Sequence, residues 1–288
     1  MVAKKYTDED LRRFYRDYKK LGTWSLPRFA RERGLAIWGL RHGFDRLGFK
    51  VVPQEISKRK FPVDENFFEV IDTEQKAYFL GFLFADGCNS PDKNRLEVSL
   101  AKQDRDILEK LSRLLLGGNV NVKEYKRRNK NAQDKVALYL INKKLSQDLV
   151  KWGCVPRKTF VLKFPDIPVG LQHHFIRGYF DGDGMLTFGY RYNKGYPDHK
   201  VLFAYFSIVS TKEMLERISE YIASLGVNYE INKRHKKRKN NNFTLRVHGC
   251  RQIQKVCDFL YKDATIFLDR KFKNYKFLAA RKQRRKTC

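Results

Sequence analysis

Two aspartates, Asp86 and Asp183, each precede a glycine at the end of a predicted helix. Carboxylates at a helix C-terminus face the negative end of the helix dipole, so two of them side by side are unfavourable until a cation binds between them. Mg²⁺ prefers such hard oxygen ligands, as does Mn²⁺. A single Asp-Gly pair is an ordinary turn after a helix, but two pairs in matching contexts predict a divalent-metal site. Gly87 and Gly184, which follow directly, are included among the candidate metal ligands.

The two aspartates end helices predicted over residues 74–86 and 171–183. Each helix carries two small residues four positions apart: Gly81 and Ala85 in the first, and Gly178 and Gly182 in the second. Small residues at this spacing leave one face flat, so that two helices can pack with their backbones in contact. Glycine within a helix costs about 0.5–1 kcal/mol relative to alanine, and close packing offsets that cost. The pattern predicts that the helices lie side by side and bring the aspartates together.

The segments that follow these two helices repeat one order of elements. In both, a strand-like alternation leads into an amphipathic helix, which stops at Gly117 in the first copy and at Gly226 in the second. A basic hairpin and a second strand follow, over residues 136–141 or 243–247, and a short helix closes each copy. Two such copies in one chain are the counterpart of a two-fold dimer. We therefore expect an α+β fold of two pseudo-symmetric units and a monomeric protein.

This organisation divides the chain into three segments. Residues 1–60 form a small helical segment, residues 61–168 form the first unit with its linker, and residues 169–288 form the second unit with a basic tail. In the N-terminal segment, a short helix, a turn at Gly34 and a further helix follow one another, which is the helix-turn-helix pattern. Arginines, Arg41 among them, crowd this segment and favour DNA contact over a purely structural helical bundle.

The composition of the chain restricts its partners. Sixty Lys and Arg residues stand against 32 Asp and Glu, which gives a formal net charge of +28 over 288 residues. A compact particle with that charge repels itself unless it binds a polyanion, and nucleic acid is the usual one. No apolar run approaches the roughly 20 residues of a membrane span, and five cysteines without a C-x-x-C pair indicate neither a disulfide framework nor a thiolate zinc site.

The two Asp-Gly segments resemble the signature motifs of a known family. Residues 79–87 read FLGFLFADG and residues 176–184 read IRGYFDGDG. They are similar to the paired motifs of the single-chain LAGLIDADG homing endonucleases, over about residues 70–280. The resemblance implies two αββαββα units whose antiparallel sheets form a saddle over DNA, with Asp86 and Asp183 as the metal-binding acids. Phe84 departs from the motif, since it takes the position that Asp181 holds in the second copy.

The resemblance also implies supporting groups around the metal. Family members place a lysine near each metal centre, and Lys158 and Lys271 are the candidates here, although either could be an ordinary solvated lysine. The sheets, their hairpins and a third loop around residues 190–196 are expected to contact DNA. The candidate DNA-binding residues are Lys123, Lys126, Arg127, Arg128, Tyr190, Arg191, Tyr192, Lys233, Arg234, Lys236, Arg238 and Arg41.

Together these features predict a site-specific, Mg²⁺- or Mn²⁺-dependent endonuclease that hydrolyses both strands of a long double-stranded DNA target. The alternative is a protein on the same scaffold that does not cut, either a DNA-binding regulator or a maturase that binds intron RNA. The sequence predicts no membrane partner. We expect the protein to act in the cytoplasm, on the nucleoid or in an organelle, and not to be secreted.

Overall fold

A computed structural model describes residues 6–22, 24–52, 60–126, 133–193, 196–234 and 240–284. The chain divides into two compact units, Met1–Pro62 and Val63–Cys288. The two repeats predicted from the sequence lie together in the second unit. No helix in the described ranges is long and apolar enough to cross a membrane.

The N-terminal unit contains three helices, α1 (Asp8–Lys20), α2 (Leu26–Glu32) and α3 (Ile37–Arg46). Thr7 and Asp10 form a capping box at the start of α1, and the Ser25 side chain caps α2. Gly34 has a φ of +60° in the turn between α2 and α3, a conformation that favours glycine. The helices enclose a core of their own, made of Leu11, Tyr18, Leu26, Phe29, Ala30, Leu40 and Phe44.

The second unit contains two successive copies of one element order. The first copy comprises α4 (Glu74–Asp86), β1 (Gly87–Ser90), β2 (Arg95–Ala101), α5 (Arg105–Leu115), β3 (Val122–Tyr125), β4 (Lys135–Ile141) and α6 (Lys143–Lys151). The second comprises α7 (Gln172–Asp183), β5 (Gly184–Asn193), β6 (Tyr196–Ser210), α8 (Lys212–Ser224), β7 (Tyr229–Lys233), β8 (Phe243–Val247) and α9 (Cys250–Tyr261). A further helix, α10 (Asp269–Arg284), follows α9. Each copy is thus helix, two strands, helix, two strands, helix.

Each copy forms one four-stranded antiparallel sheet, with the strand orders β1-β2-β4-β3 and β5-β6-β8-β7. Gly87 pairs with Val98 in the first sheet, and Gly184 pairs with Ile208 at the equivalent position of the second. The register therefore fixes the residue after each aspartate in the same way in both copies. In β2, alternate residues such as Val98 are buried against the helices, and the residues between them are more exposed.

The segment between the copies packs firmly on the second copy. It contains the short 3₁₀ turns Lys158–Phe160 and Val169–Leu171. Leu162 and Ile167 are buried, and the Thr211 hydroxyl donates a hydrogen bond of 2.5 Å to the Leu162 carbonyl oxygen. The predicted linker is thus a packed connection, and this packing holds Lys158 in a defined place.

Candidate functional site

Helices α4 and α7 cross with their backbones in contact at the glycines. A Cβ atom on Gly81 would lie within 2.9 Å of the Tyr179 nitrogen and nearer still to the Phe175 oxygen. A Cβ atom on Gly178 would meet the Tyr78 oxygen in the equivalent way. Only glycine fits at these two positions, and the matching contacts show that a pseudo-two-fold axis runs through the crossing. We call this crossing the helix seam.

The seam continues to the C-termini of the two helices. There the Ala85 side chain occupies the space that a Cβ atom on Gly182 would need. The Asp86 Oδ2 atom lies 3.1 Å from the same Cβ position. Asp86 therefore reaches across the seam to the residue that precedes Asp183, and the structure brings the two predicted metal-binding acids together.

Both aspartates reach solvent, yet the surrounding chain removes enough water from the carboxyl groups to raise the pKa of each. Burial and the neighbouring Asp183 charge together raise the pKa of Asp86 to about 6, against the opposing effect of Lys271 and Lys158. Burial also raises the pKa of Asp183, against the effects of Lys158, Lys271 and a hydrogen bond from Tyr179. Burial thus disfavours the charge on both carboxylates, and the Asp183 charge further disfavours that on Asp86, which is the condition that a bound cation relieves.

Lys271 lies beneath the C-terminus of α7. Its side chain is only 1% exposed, and its ammonium group donates hydrogen bonds to the carbonyl oxygens of Phe180, Asp181 (2.9 Å) and Gly184 (2.6 Å). These bonds use all three ammonium donors, and a cation is favoured at this end of a helix. Burial lowers the pKa of Lys271 to about 8, although the Asp181 carboxylate counteracts the shift.

Lys158 has the corresponding place in the first copy, with less burial. Its ammonium group donates a hydrogen bond to the Gly87 carbonyl oxygen, and its side chain is half-buried. The carbonyls of Gly87 and Gly184, both predicted metal ligands, therefore accept hydrogen bonds from lysines in this structure. The ligand role of the two glycines stays a prediction.

A buried carboxylate distinguishes the two copies. Asp181 accepts hydrogen bonds from the hydroxyls of Tyr78 (2.8 Å) and Tyr261 (2.5 Å) and from the Leu268 amide (2.8 Å). It thereby joins α4 of the first copy to α9 and to the start of α10. In the first copy the equivalent residue is Phe84, which is buried. The departure from the motif noted in the sequence thus removes this network from one half of the site.

A second link between the copies was not predicted from the sequence. The fully buried Arg177 donates to Glu74 Oε1 (2.6 Å) and to the carbonyl oxygens of Ile266 (3.0 Å) and Leu260 (3.1 Å). Glu74 also accepts from the Thr265 amide at 2.8 Å. A buried charge is tolerated only when its hydrogen bonds are satisfied, so this cluster fixes the N-terminus of α4 against the second copy. Arg177 lies between 83 and 103 residues from these three partners along the chain, and only its position inside the second motif could have indicated the cluster.

A cavity of about 120 Å³ opens beside Asp183. Lys158, Tyr179 and Arg234 line it together with Asp183 and Phe84 of the first motif. The cavity therefore combines one carboxylate with two cationic side chains, which suits an anionic group that approaches a metal site.

The described candidate DNA-binding residues of the second unit lie on the edge strands β3, β5 and β7 or directly after them. Lys123, Lys126, Tyr190, Tyr192, Lys233 and Arg234 are exposed in the second unit, and Arg41 is exposed on α3 of the N-terminal unit. Residues 190–193 extend strand β5 and do not form the predicted loop, because this aromatic-rich segment pairs with β6. Arg127, Arg128, Lys236, Arg238 and the side chain of Arg191 lie outside the described residues.

Two aspartates are the side-chain metal ligands that this site offers. Within the described ranges, no group of three or more His, Cys, Asp or Glu side chains could hold a metal ion. Carboxylate oxygens suit Mg²⁺, which usually keeps several waters and takes one or two carboxylates together with substrate phosphate oxygens. The residues present therefore fit an ion that shares its coordination with water and substrate.

Comparisons with families, sequences and solved structures show what the chain is similar to. No protein of curated function matches the sequence significantly. Among solved structures, the LAGLIDADG homing endonuclease I-LtrWI bound to target DNA is 12% identical, with a TM-score of 0.50 over 78% of this chain and 92% of that chain. Meganuclease I-SmaMI bound to uncleaveable DNA is 13% identical, with a TM-score of 0.48 over 71% of this chain and 88% of that chain. The predicted fold class, two pseudo-symmetric αββαββα units with an N-terminal helical segment, is confirmed. The model of the LAGLIDADG-like domain matches residues 73–150 and 171–260, more than half of the chain, and the chain therefore belongs to this family.

Proposed function

We propose that this protein is a divalent-metal-dependent endonuclease that cuts both strands of double-stranded DNA at a long, specific target. The observation that carries the proposal is the helix seam, which places Asp86 beside the residue preceding Asp183 and gives both carboxylates a raised pKa. Two equivalent acids on a pseudo-two-fold axis match two antiparallel DNA strands, because each strand would meet one half of the site.

Asp86 and Asp183 would hold the divalent cations. A bound Mg²⁺ or Mn²⁺ supplies charge for a scissile phosphate and lowers the pKa of a coordinated water. The two carboxylates must be ionised to bind, and Lys158 and Lys271 favour that ionised state. Their positive charge would also stabilise the negative charge that develops on a phosphate bound at this site.

The two lysines take different roles in this proposal. Lys158 lines the cavity beside Asp183 and is half-buried, so it can reach a phosphate there. Lys271 is enclosed and its three donors are used by backbone carbonyls. We therefore assign Lys271 as a positioning residue, which fixes the end of α7 and thereby the direction of Asp183.

Double-stranded DNA is the proposed partner for three reasons. The chain has a net charge of +28, basic and aromatic side chains are exposed on strands β3, β5 and β7, and the structurally similar I-LtrWI is bound to its DNA target. Lysine and arginine contacts with phosphates supply affinity, and side chains that reach base edges supply specificity. A protein with this activity would act on DNA inside the cell or organelle that encodes it.

The proposal is tested by selection of cleaved sequences from a random duplex library in the presence of Mg²⁺. The proposed endonuclease enriches one long target and converts it to double-strand breaks, and the variants Asp86→Asn and Asp183→Asn bind that target without cutting it. A variant with Asp92→Asn, at an exposed acid away from the seam, should cut like the parent. Target binding without cleavage in both Mg²⁺ and Mn²⁺ would favour a non-cutting regulator, and preference for structured intron RNA over duplex DNA would favour a maturase.

A further inference from the structure

Helix α3 of the N-terminal unit presents an unusual exposed face. Trp38, Arg41, His42 and Asp45 follow one another at helical spacing, and all four are exposed. Trp38 is 75% exposed, and its ring stacks on His42 with 5.8 Å between the ring centroids. We call these four residues the α3 face. A large aromatic side chain held at the surface in this way is typical of a binding site.

The fold of the unit explains why this face points outwards. Leu40 and Phe44, on the opposite side of α3, are fully buried in the core of the unit. Gly43 allows α1 to approach closely, because a Cβ atom there would overlap the Leu11 side chain. Helix α3 is therefore firmly fixed by its inner side, and the rotation that exposes Trp38 is set by packing.

The connection between α2 and α3 is also well defined. The Leu35 amide donates to the Ala30 carbonyl oxygen at 2.8 Å, and the Ala36 amide donates to the Tyr6 hydroxyl at 2.6 Å. Ala36 provides no side-chain cap for α3, so the first-turn amides remain suited to a phosphate oxygen. A short helix, a tight turn and a second helix with an exposed face is the arrangement that places a helix in the major groove of DNA.

The charges around the α3 face select the partner. Arg31 and Arg46 form ion pairs with carboxylates of the unit, whereas Arg28, Arg33 and Arg41 form none with the described residues. These three arginines are exposed and leave an excess of positive charge on the N-terminal unit. A polyanion satisfies that excess, and a neutral or basic protein surface does not.

We infer that the α3 face binds the major groove of duplex DNA, as a recognition element separate from the LAGLIDADG repeats. Arg41 can donate to guanine O6 and N7, and Asp45 can accept from the amino group of cytosine, so the chemistry favours a site that contains G·C pairs. The exposed Trp38 supplies apolar contact, and the neighbouring arginines bind phosphates. The inference does not depend on DNA cleavage, because it concerns only binding by the N-terminal unit.

The test uses the full-length chain with Asp86→Asn and Asp183→Asn, so that bound DNA stays intact. Binding sites are selected from a random duplex library, and the parent is compared with variants that also carry Trp38→Ala, Arg41→Ala or Arg16→Ala. Arg16 is the matched control, because it is an exposed arginine of the same unit on α1. Trp38, Arg41 and Arg16 are all exposed, and thermal unfolding checks that each variant remains folded.

Binding through the α3 face predicts that the parent selects a block of sequence containing G·C pairs, and that Arg41→Ala removes this block, shortens the footprint and weakens binding about tenfold. Trp38→Ala should weaken binding to the same block, whereas Arg16→Ala should keep the block and the footprint. An unchanged footprint and affinity in both Trp38→Ala and Arg41→Ala would overturn the inference.

Discussion

Replacement of Asp86 by asparagine is expected to stabilise the metal-free protein while it prevents cleavage. In the folded state burial and the Asp183 charge raise the pKa of Asp86 from 3.8 to about 6. The folded protein therefore binds this proton more tightly than the unfolded chain does, and the ionised carboxylate opposes folding. This unfavourable contribution is absent below about pH 4, grows between about pH 4 and pH 6, and is complete at higher pH.

The size of the effect follows from the same pKa. One pKa unit corresponds to about 1.36 kcal/mol, so the full shift corresponds to about 3 kcal/mol in the free energy of unfolding. Because the Asp86 carboxylate reaches solvent, screening reduces the effect, and we expect Asp86→Asn to stabilise the protein by about 1 kcal/mol at pH 8. For a unit of this size, 1 kcal/mol corresponds to an increase in Tm of about 2–4 °C.

The assay is thermal unfolding in the presence of a chelator at pH 8 and pH 5, with Asp92→Asn as the control for removal of an exposed charge. The gain in Tm for Asp86→Asn should fall to about half at pH 5, because the parent is then largely protonated. Added Mg²⁺ should raise the Tm of the parent more than that of the variant. A lower Tm for Asp86→Asn than for the parent at pH 8, or an equal gain at both pH values, would refute the electrostatic reasoning.

Three further predictions follow from the seam. In a denaturant titration, Gly178→Ala should destabilise the protein by about 3 kcal/mol or more, because the added methyl group would overlap backbone atoms. Gly170→Ala is the control and should have little effect, because Gly170 has open space around it. Asp181→Asn should lower the free energy of unfolding by about 1–3 kcal/mol, because an amide cannot accept all the hydrogen bonds that the carboxylate receives. Equal unfolding curves for the parent and the variant would contradict this prediction. The apparent Kd for Mg²⁺, measured by calorimetry, should rise about tenfold for each pH unit below about 6, because the ion must displace the Asp86 proton. A Kd that is independent of pH from 5 to 8 would exclude Asp86 as a ligand.

The sequence predicted those features of the fold that depend on local patterns. The periodicity and glycine stops placed the helices, and the structure begins α7 at Gln172, one residue after the predicted start. The small-residue spacing predicted the crossing of α4 and α7, because a flat helix face leaves few alternatives to close packing. The repeated order of elements then determined both sheets.

Long-range partners could not be predicted in this way. Tyr261 lies 80 residues from Asp181, and Thr265 lies 191 residues from Glu74, so no periodicity relates them. The enclosure of Lys271 depends on how α10 returns to the seam, which is a property of the tertiary fold. The aromatic segment after Gly184 was predicted as a loop because its many polar and basic residues concealed the strand pattern.

We propose above all that Asp86 and Asp183 together hold divalent cations at the helix seam. The most direct measurement is the anomalous scattering of Mn²⁺ in crystals of the protein bound to its selected DNA target. We expect anomalous peaks within about 2.0–2.4 Å of carboxylate oxygens of both aspartates and next to a backbone phosphate of each strand. Peaks that lie elsewhere, or aspartates that contact only protein groups while DNA is cut, would contradict it.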